Sequence, residues 1–131
     1  MQYSSVKVSI AELNPEITKR KYYTMADQSK YIWFNGEIIP WEDAKIHVMS
    51  HVLHYGSGVF EGIKCYSTDE GPSIFRLGDH VYRLIQSGEK YGIQIPYDQD
   101  VLTQACVDIV NANHFKNCYI RPIAFYGYDT L

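Results

Sequence analysis

Arg83 and Arg121 are the residues through which this sequence could most directly do chemistry. The chain has only four arginines, and a guanidinium holds a phosphate or carboxylate through paired hydrogen bonds. Arg83 falls in a helical pattern, where a solvated face is the ordinary role. Arg121 falls inside the apolar run Asn117 to Tyr126. A charge there is costly unless paired, so it serves either a buried ion pair or a ligand. His47, His51 and His54 repeat at i, i+4, i+7, and on one helix face three imidazoles could hold zinc. However, His54 runs into Tyr55-Gly56-Ser57-Gly58, which would end a helix, and no HExxH glutamate accompanies it. The pattern predicts histidines hydrogen-bonded at a turn, and no metal site. Gly56 to Gly62 reads GxGxxxG followed by a strand-like run. A dinucleotide loop needs strand, GxGxxG and helix in that order, so these glycines are read as permitting tight turns. No GxSxG elbow surrounds any serine, and no nucleophilic triad is legible.

The elements that must position these residues can be read along the chain. Residues 1–29 are polar, carry no sustained period, and are broken by Asn14-Pro15. They are expected to form an N-terminal extension without firm structure. Order is expected from residue 30, giving one domain over 30–131. Tyr31 to Phe34 and Glu37 to Ile39 flank Asn35-Gly36, a pair suited to the positive φ angles of a type I′ turn. Gly62 to Ser67 and Pro72 to Arg76 flank Thr68-Asp69-Glu70-Gly71 as a second hairpin. A helix is expected from Gly78-Asp79, with Val81, Leu84, Ile85 and Tyr91 on one face. A second is expected from an Asp98 cap to about Asn113, with a stripe of Val101, Leu102, Ala105, Cys106, Ile109 and Val110. The fold class is therefore α+β: a small antiparallel sheet built from hairpins and a late central strand, with two packed helices.

Composition narrows the class of function. With 131 residues, 46% of them hydrophobic, the chain can bury one core. A net charge of −3 argues against a general nucleic-acid binder. No apolar run reaches the ~20 residues that span a bilayer, and the first residues lack a secretory pattern. Cys65, Cys106 and Cys118 have no CxxC spacing and are read as reduced thiols of a cytoplasmic protein. Twelve tyrosines suit pockets and interfaces, being apolar along the ring and polar at the tip. The apolar strand close before Leu131 suggests a piece of something longer. The residues alone thus lead to a tyrosine-rich α+β domain with arginines suited either to an anion or to a structural role, and not to an enzyme class.

Several segments carry a more specific signal. Tyr31-Ile32-Trp33-Phe34-Asn35-Gly36-Glu37, Trp41 to Val48 and Ser50 to Ile63 together resemble the start of bacterial branched-chain aminotransferases. Tyr119-Ile120-Arg121-Pro122 and the spacing of Phe75-Arg76 to His80 and Arg83-Leu84 fit the same family. The resemblance spans about residues 30–128. It implies a pyridoxal 5′-phosphate enzyme of fold type IV, with a smaller N-terminal α+β domain, a larger C-terminal domain, and an active site between them that a neighbouring subunit completes.

Carried onto this sequence, the resemblance makes Arg83 the holder of the cofactor phosphate. It makes Tyr55 and Phe60 an aromatic wall for apolar substrate side chains. Tyr119 and Arg121 become the pair that also admits glutamate, Arg121 meeting its side-chain carboxylate. Lys64 stands where relatives often have arginine, keeping the charge without the fork. Some of these residues would serve the partner subunit's site. The implied reaction moves an amino group between leucine, isoleucine or valine and 2-oxoglutarate, in a homo-oligomer. Its Schiff-base lysine belongs to the C-terminal domain, and none of the eight lysines here stands in that motif. The chain is therefore expected to hold no catalytic residue and to be inactive alone. Two other readings stay open: a stand-alone binding or dimerisation module, and another fold-type-IV enzyme such as a D-amino-acid aminotransferase or aminodeoxychorismate lyase.

Overall fold

A computed structural model describes residues 6–13 and 29–128. The element order is β1 (Val6–Leu13), β2 (Tyr31–Phe34), β3 (Glu37–Pro40), a 3-10 turn (Trp41–Asp43), α1 (His51–Tyr55), β4 (Gly58–Phe60), β5 (Ile63–Thr68), β6 (Gly71–Ile74), α2 (Leu77–Lys90), α3 (Gln99–Asn113) and β7 (Cys118–Tyr126). The strands form one antiparallel sheet in the order β3-β2-β1-β7-β5-β6, with β4 also paired to β7. This is the expected α+β architecture, with the late strand at its centre.

Two turns follow their residue chemistry. Asn35 and Gly36 close the first hairpin with φ of 52° and 98°, the two positive angles that a type I′ turn needs. Gly71, at φ 115°, closes the second hairpin. Asp98 caps α3 by accepting from the Val101 N–H at 2.8 Å, satisfying one of the helix's orphan donors. In α2, Asp79 lies in the first turn and Lys90 in the last, each matched to its end of the helix dipole.

One core lies between the helices and one face of the sheet. Ile10, Ile63, Leu84, Ile109 and Ile120 are completely inaccessible, and Leu102 nearly so. The α3 stripe is buried as its period demands, from Leu102 to Val110, whereas Val101 at the first turn is exposed. In α2, Val81 and Leu84 are buried. Tyr91 lies just past the helix and points to solvent.

Residues 6–13, read from sequence as part of an unstructured extension, form β1 beside the central strand. β1 pairs with β7 from Val6 opposite Tyr126 to Leu13 opposite Tyr119. Its alternation places Val8 and Ile10 in the core. The signal was a short period-two run, Val6-Lys7-Val8-Ser9-Ile10, beside polar residues that masked it.

The other edge of β7 is shared. β4 pairs with residues 123–125 and β5 with residues 118–120. Between them Glu61 and Gly62 cross opposite Arg121 and Pro122, and the Glu61 N–H donates to the Pro122 carbonyl at 3.0 Å. This break explains a proline in a central strand. Its missing N–H faces the gap, where no regular ladder bond is lost. Cys118, Ile120, Pro122 and Ala124 face the core, so Tyr119, Arg121 and Ile123 lie on the sheet's other, half-buried face. Among the described residues, no helix is long and apolar enough to cross a membrane.

Candidate functional site

The β4–β5 connection positions two groups of charged side chains. Phe60 and Glu61 are consecutive, and in extended chain consecutive side chains point to opposite faces. Glu61 is buried, only 5% exposed. Its carboxylate accepts from Arg83 Nε at 2.5 Å and from Arg83 Nη2 at 2.6 Å, a fork-to-fork pair. Its Oε2 also lies 2.9 Å from His80 Nδ1. A proton on that nitrogen makes the contact a donated hydrogen bond, and the ring then cannot accept from Arg83 Nη2 at 3.4 Å. The Arg83 guanidinium holds the Glu61 carboxyl below its ordinary pKa of 4.5, against burial, and His80 lowers it further. The same pair raises Arg83, which is a cation at every physiological pH.

Arg83 is 65% exposed along its side chain. Of the five N–H donors of a guanidinium, Glu61 engages two, and three remain for an outside partner. Arg83 itself lines a surface cleft of about 620 Å³ together with Arg76, Asp79, His80 and Lys90, in which Asp79 pairs with Arg76 at 2.6 Å. Arg76 adopts φ of 47°, left-handed for a non-glycine residue. Asp79 thus occupies Arg76, while Lys90 and the three spare donors of Arg83 leave a positive set that fits a phosphate.

The second group lies on the sheet face away from the helices. Arg121 Nη2 donates to the Tyr119 hydroxyl at 3.0 Å. The guanidinium carbon sits 4.5 Å from the Phe60 ring centroid and 5.2 Å from that of Tyr119. Arg121 Nε is buried without a hydrogen-bond partner. Leaving such a donor unmet costs about 1–3 kcal/mol. Lys64 is directly opposite Tyr119 in the ladder, hence on the same face, with its ammonium 5.8 Å from the Tyr66 ring. Gly62 leaves the space that Tyr119 fills: a β-carbon there would collide with the phenol. The resulting wall combines two aromatic rings, a lysine, and an arginine with a spare donor.

Tyr55 is not in this group. It ends α1, is 71% exposed, and its ring lies 4.3 Å from that of His51. The three histidines each have a separate partner. His47 Nδ1 accepts from the Met49 N–H at 3.1 Å, His51 Nδ1 meets Ser57 Oγ at 2.5 Å, and His54 Nε2 meets the Val48 carbonyl at 3.0 Å. α1 stops at Gly56, at φ 64°. Among the described residues, no group of three potential ligands could hold a metal ion.

Phe60, Lys64, Tyr119 and Arg121 thus come together, Arg83 stands across the β4–β5 connection, and Tyr55 stands apart. Sequence reasoning missed Glu61 and the role of His80. The available signal was a carboxylate set between Phe60 and Gly62 in a strand-rich apolar stretch, where a buried acid needs a cation. A larger cleft, about 1060 Å³ beside Lys30, Trp41 and Lys45, contains none of these residues.

The branched-chain-amino-acid aminotransferase of Salmonella typhimurium (strain LT2) is 49% identical over 100 residues, 76% of this chain and 32% of the relative. The crystal structure of the Escherichia coli branched-chain amino acid aminotransferase matches with a TM-score of 0.75 at 49% identity, over 76% of this chain and 33% of that one. The branched-chain amino acid aminotransferase of Thermoproteus uzoniensis, a thermophilic archaeon, solved with norvaline, matches with a TM-score of 0.74 at 41% identity, over 79% and 35%. The chain therefore spans about a third of the length of the relatives it matches. Residues 58–130 match the model of the family described as amino-transferase class IV, and the chain belongs to that family.

Proposed function

We propose that this chain forms the N-terminal, substrate- and phosphate-facing domain of a branched-chain amino acid transaminase. The intact enzyme would move an amino group between leucine, isoleucine or valine and 2-oxoglutarate. Pyridoxal 5′-phosphate, when bound, supplies the electron sink that makes the α-proton of an amino acid removable. The residues of this chain bind and orient. Arg83, with three donors left after Glu61, would take the phosphate. Phe60 and Tyr119 would wall in an alkyl side chain. Arg121 would receive the distal carboxylate of glutamate or 2-oxoglutarate, with Lys64 adding positive charge on the same face.

The single observation that carries this reading is Arg121, whose guanidinium lies against two aromatic rings and whose buried Nε has no hydrogen-bond partner. An aromatic wall that carries Arg121, with Lys64 on the same face, suits a site that alternates between branched-chain and acidic partners. The exposed Tyr55, remote from that wall, suits a residue that reaches a neighbouring subunit's site in a homo-oligomer. The lysine that anchors the cofactor would come from a further domain, as none of the lysines here matches that motif.

A coupled assay of these 131 residues with the cofactor, leucine and 2-oxoglutarate tests the division of labour. We expect no turnover above a protein-free control, and chain-dependent turnover would contradict it. Nuclear magnetic resonance titration with 2-oxoglutarate tests the carboxylate role. Shifts should centre on Tyr119 and Arg121 and vanish in Arg121→Gln. A response unaltered by that substitution would remove Arg121 from the site and favour a non-catalytic module.

A further inference from the structure

We propose that Glu61 and His80 are positioning residues, which fix the Arg83 guanidinium so that its three remaining donors face a phosphate. The inference rests on the reading of Arg83 given above and extends it to residues that do not themselves touch the ligand. Three observations carry it.

The first is the contrast in exposure within the pair. Arg83 is 65% exposed and Glu61 only 5%. A long exposed arginine ordinarily samples many rotamers, and holding it still costs entropy. Here the anchor is the buried partner, and it grips the Nε edge at two points. That grip fixes the plane of the guanidinium, which a single contact would not.

The second is how Glu61 is itself held. Its N–H is bonded to the Pro122 carbonyl of the central strand, and its Oε2 is shared between Arg83 Nη2 and His80 Nδ1. His80 is 20% exposed along its side chain and lies one turn before Arg83 on α2. Backbone and carboxylate are therefore both constrained. The packing connects a fixed point on the sheet to a side chain on the helix.

The third is the position of Glu61 beside Phe60. Phe60 lies against Arg121 and Glu61 holds Arg83. One short connection between β4 and β5 thus sets the separation of the two guanidinium groups, one for phosphate and one for a substrate carboxylate. Reactive groups must be placed to within a fraction of an ångström to act together, and an arginine held only by solvent would not provide that.

The test uses the 131-residue chain, with pyridoxine 5′-phosphate and pyridoxine as probes, since neither carries an aldehyde that could react with lysines. The Arg83 Nε–H resonance and the rotation of its guanidinium are read by ¹⁵N-edited spectroscopy. In the native chain we expect hindered rotation, and a shift with pyridoxine 5′-phosphate but not with pyridoxine. Glu61→Gln should free the rotation and weaken phosphate binding about tenfold, the loss seen when the partner that orients a ligand-binding side chain is removed from metal sites. His80→Phe should weaken it less. Should Glu61→Gln fail to fold, Glu61→Asp keeps the charge and withdraws it by one methylene, with the same expectation. If Arg83→Lys abolishes the phosphate response while Glu61→Gln binds as the native chain does, the positioning role is wrong and Arg83 stands. If the native chain shows no phosphate-dependent shift at Arg83, the assignment of Arg83 itself falls, and this inference with it.

Discussion

Glu61 ties the stability of the molecule to acid. Its pKa is lowered chiefly by Arg83, so the folded state binds its proton less readily than the unfolded chain does. The stabilisation is fully present above the ordinary carboxyl value of 4.5 and is lost as pH falls through the lower folded-state value. Glu61→Gln removes that dependence. The difference in melting temperature between the two proteins should be greatest near neutrality and shrink below about pH 4.5; a constant difference down to about pH 3 would contradict the pairing. Arg121 makes the opposite prediction. Its buried, unmet Nε is a liability to the fold, so Arg121→Leu should leave stability unchanged or raise it by ~1 kcal/mol while removing carboxylate recognition. A loss above about 2 kcal/mol on chemical denaturation would mean that Arg121 is structural. Arg121 was legible from sequence because a charge in an apolar strand demands a reason, whereas Arg83, on a helix, stood out only through the family resemblance. Glu61 was not, since nothing in its neighbours announces that its cation lies 22 residues away. Cys106 needs no such partner: burial pushes its thiol up to about 12, and it should resist alkylation in the folded chain.

The elements divide by how local their causes are. Both main helices are legible because period, cap and stop lie within each segment, as Asp98 shows in accepting from Val101. The first hairpin is legible because Asn35-Gly36 is itself the turn. β1 and β4 are stabilised by a partner far away in sequence, the same β7, and their own residues specify little. β4 has three residues, all of them inside the Gly56 to Gly62 run that also reads as a glycine loop. The importance of β1 can be measured. Ile10 is wholly inaccessible in the core, so Ile10→Ala should cost about 2–5 kcal/mol in denaturant unfolding. A change under about 0.5 kcal/mol, the size usual for surface substitutions, would show that β1 is dispensable. Gly62→Ala should act through position. Its methyl would displace the Tyr119 phenol, disturbing the wall around Arg121 at a cost of about 1–3 kcal/mol.

The molecule as a whole presents apolar side chains on α1 and its approach. Val48 is 69% exposed, Met49 47%, Leu53 58% and Tyr55 71%. A surface of this kind invites association, and sedimentation velocity should show self-association that grows with concentration. A clean monomer at high concentration would contradict it. Fold class and the sheet's centre were readable from the pattern of hairpins followed by helices. The family was readable only where several segments matched it together, because the residues of the candidate site come from β4, β5, α2 and β7. We propose that these residues serve a class IV aminotransferase as its N-terminal third. The most direct test is a chimera in which this chain replaces the corresponding third of a full-length relative. The proposed function predicts cofactor-dependent transamination of leucine with 2-oxoglutarate, weakened by Arg83→Ala and losing its response to 2-oxoglutarate with Arg121→Gln. A folded, cofactor-loaded chimera that does not transaminate leucine would contradict it.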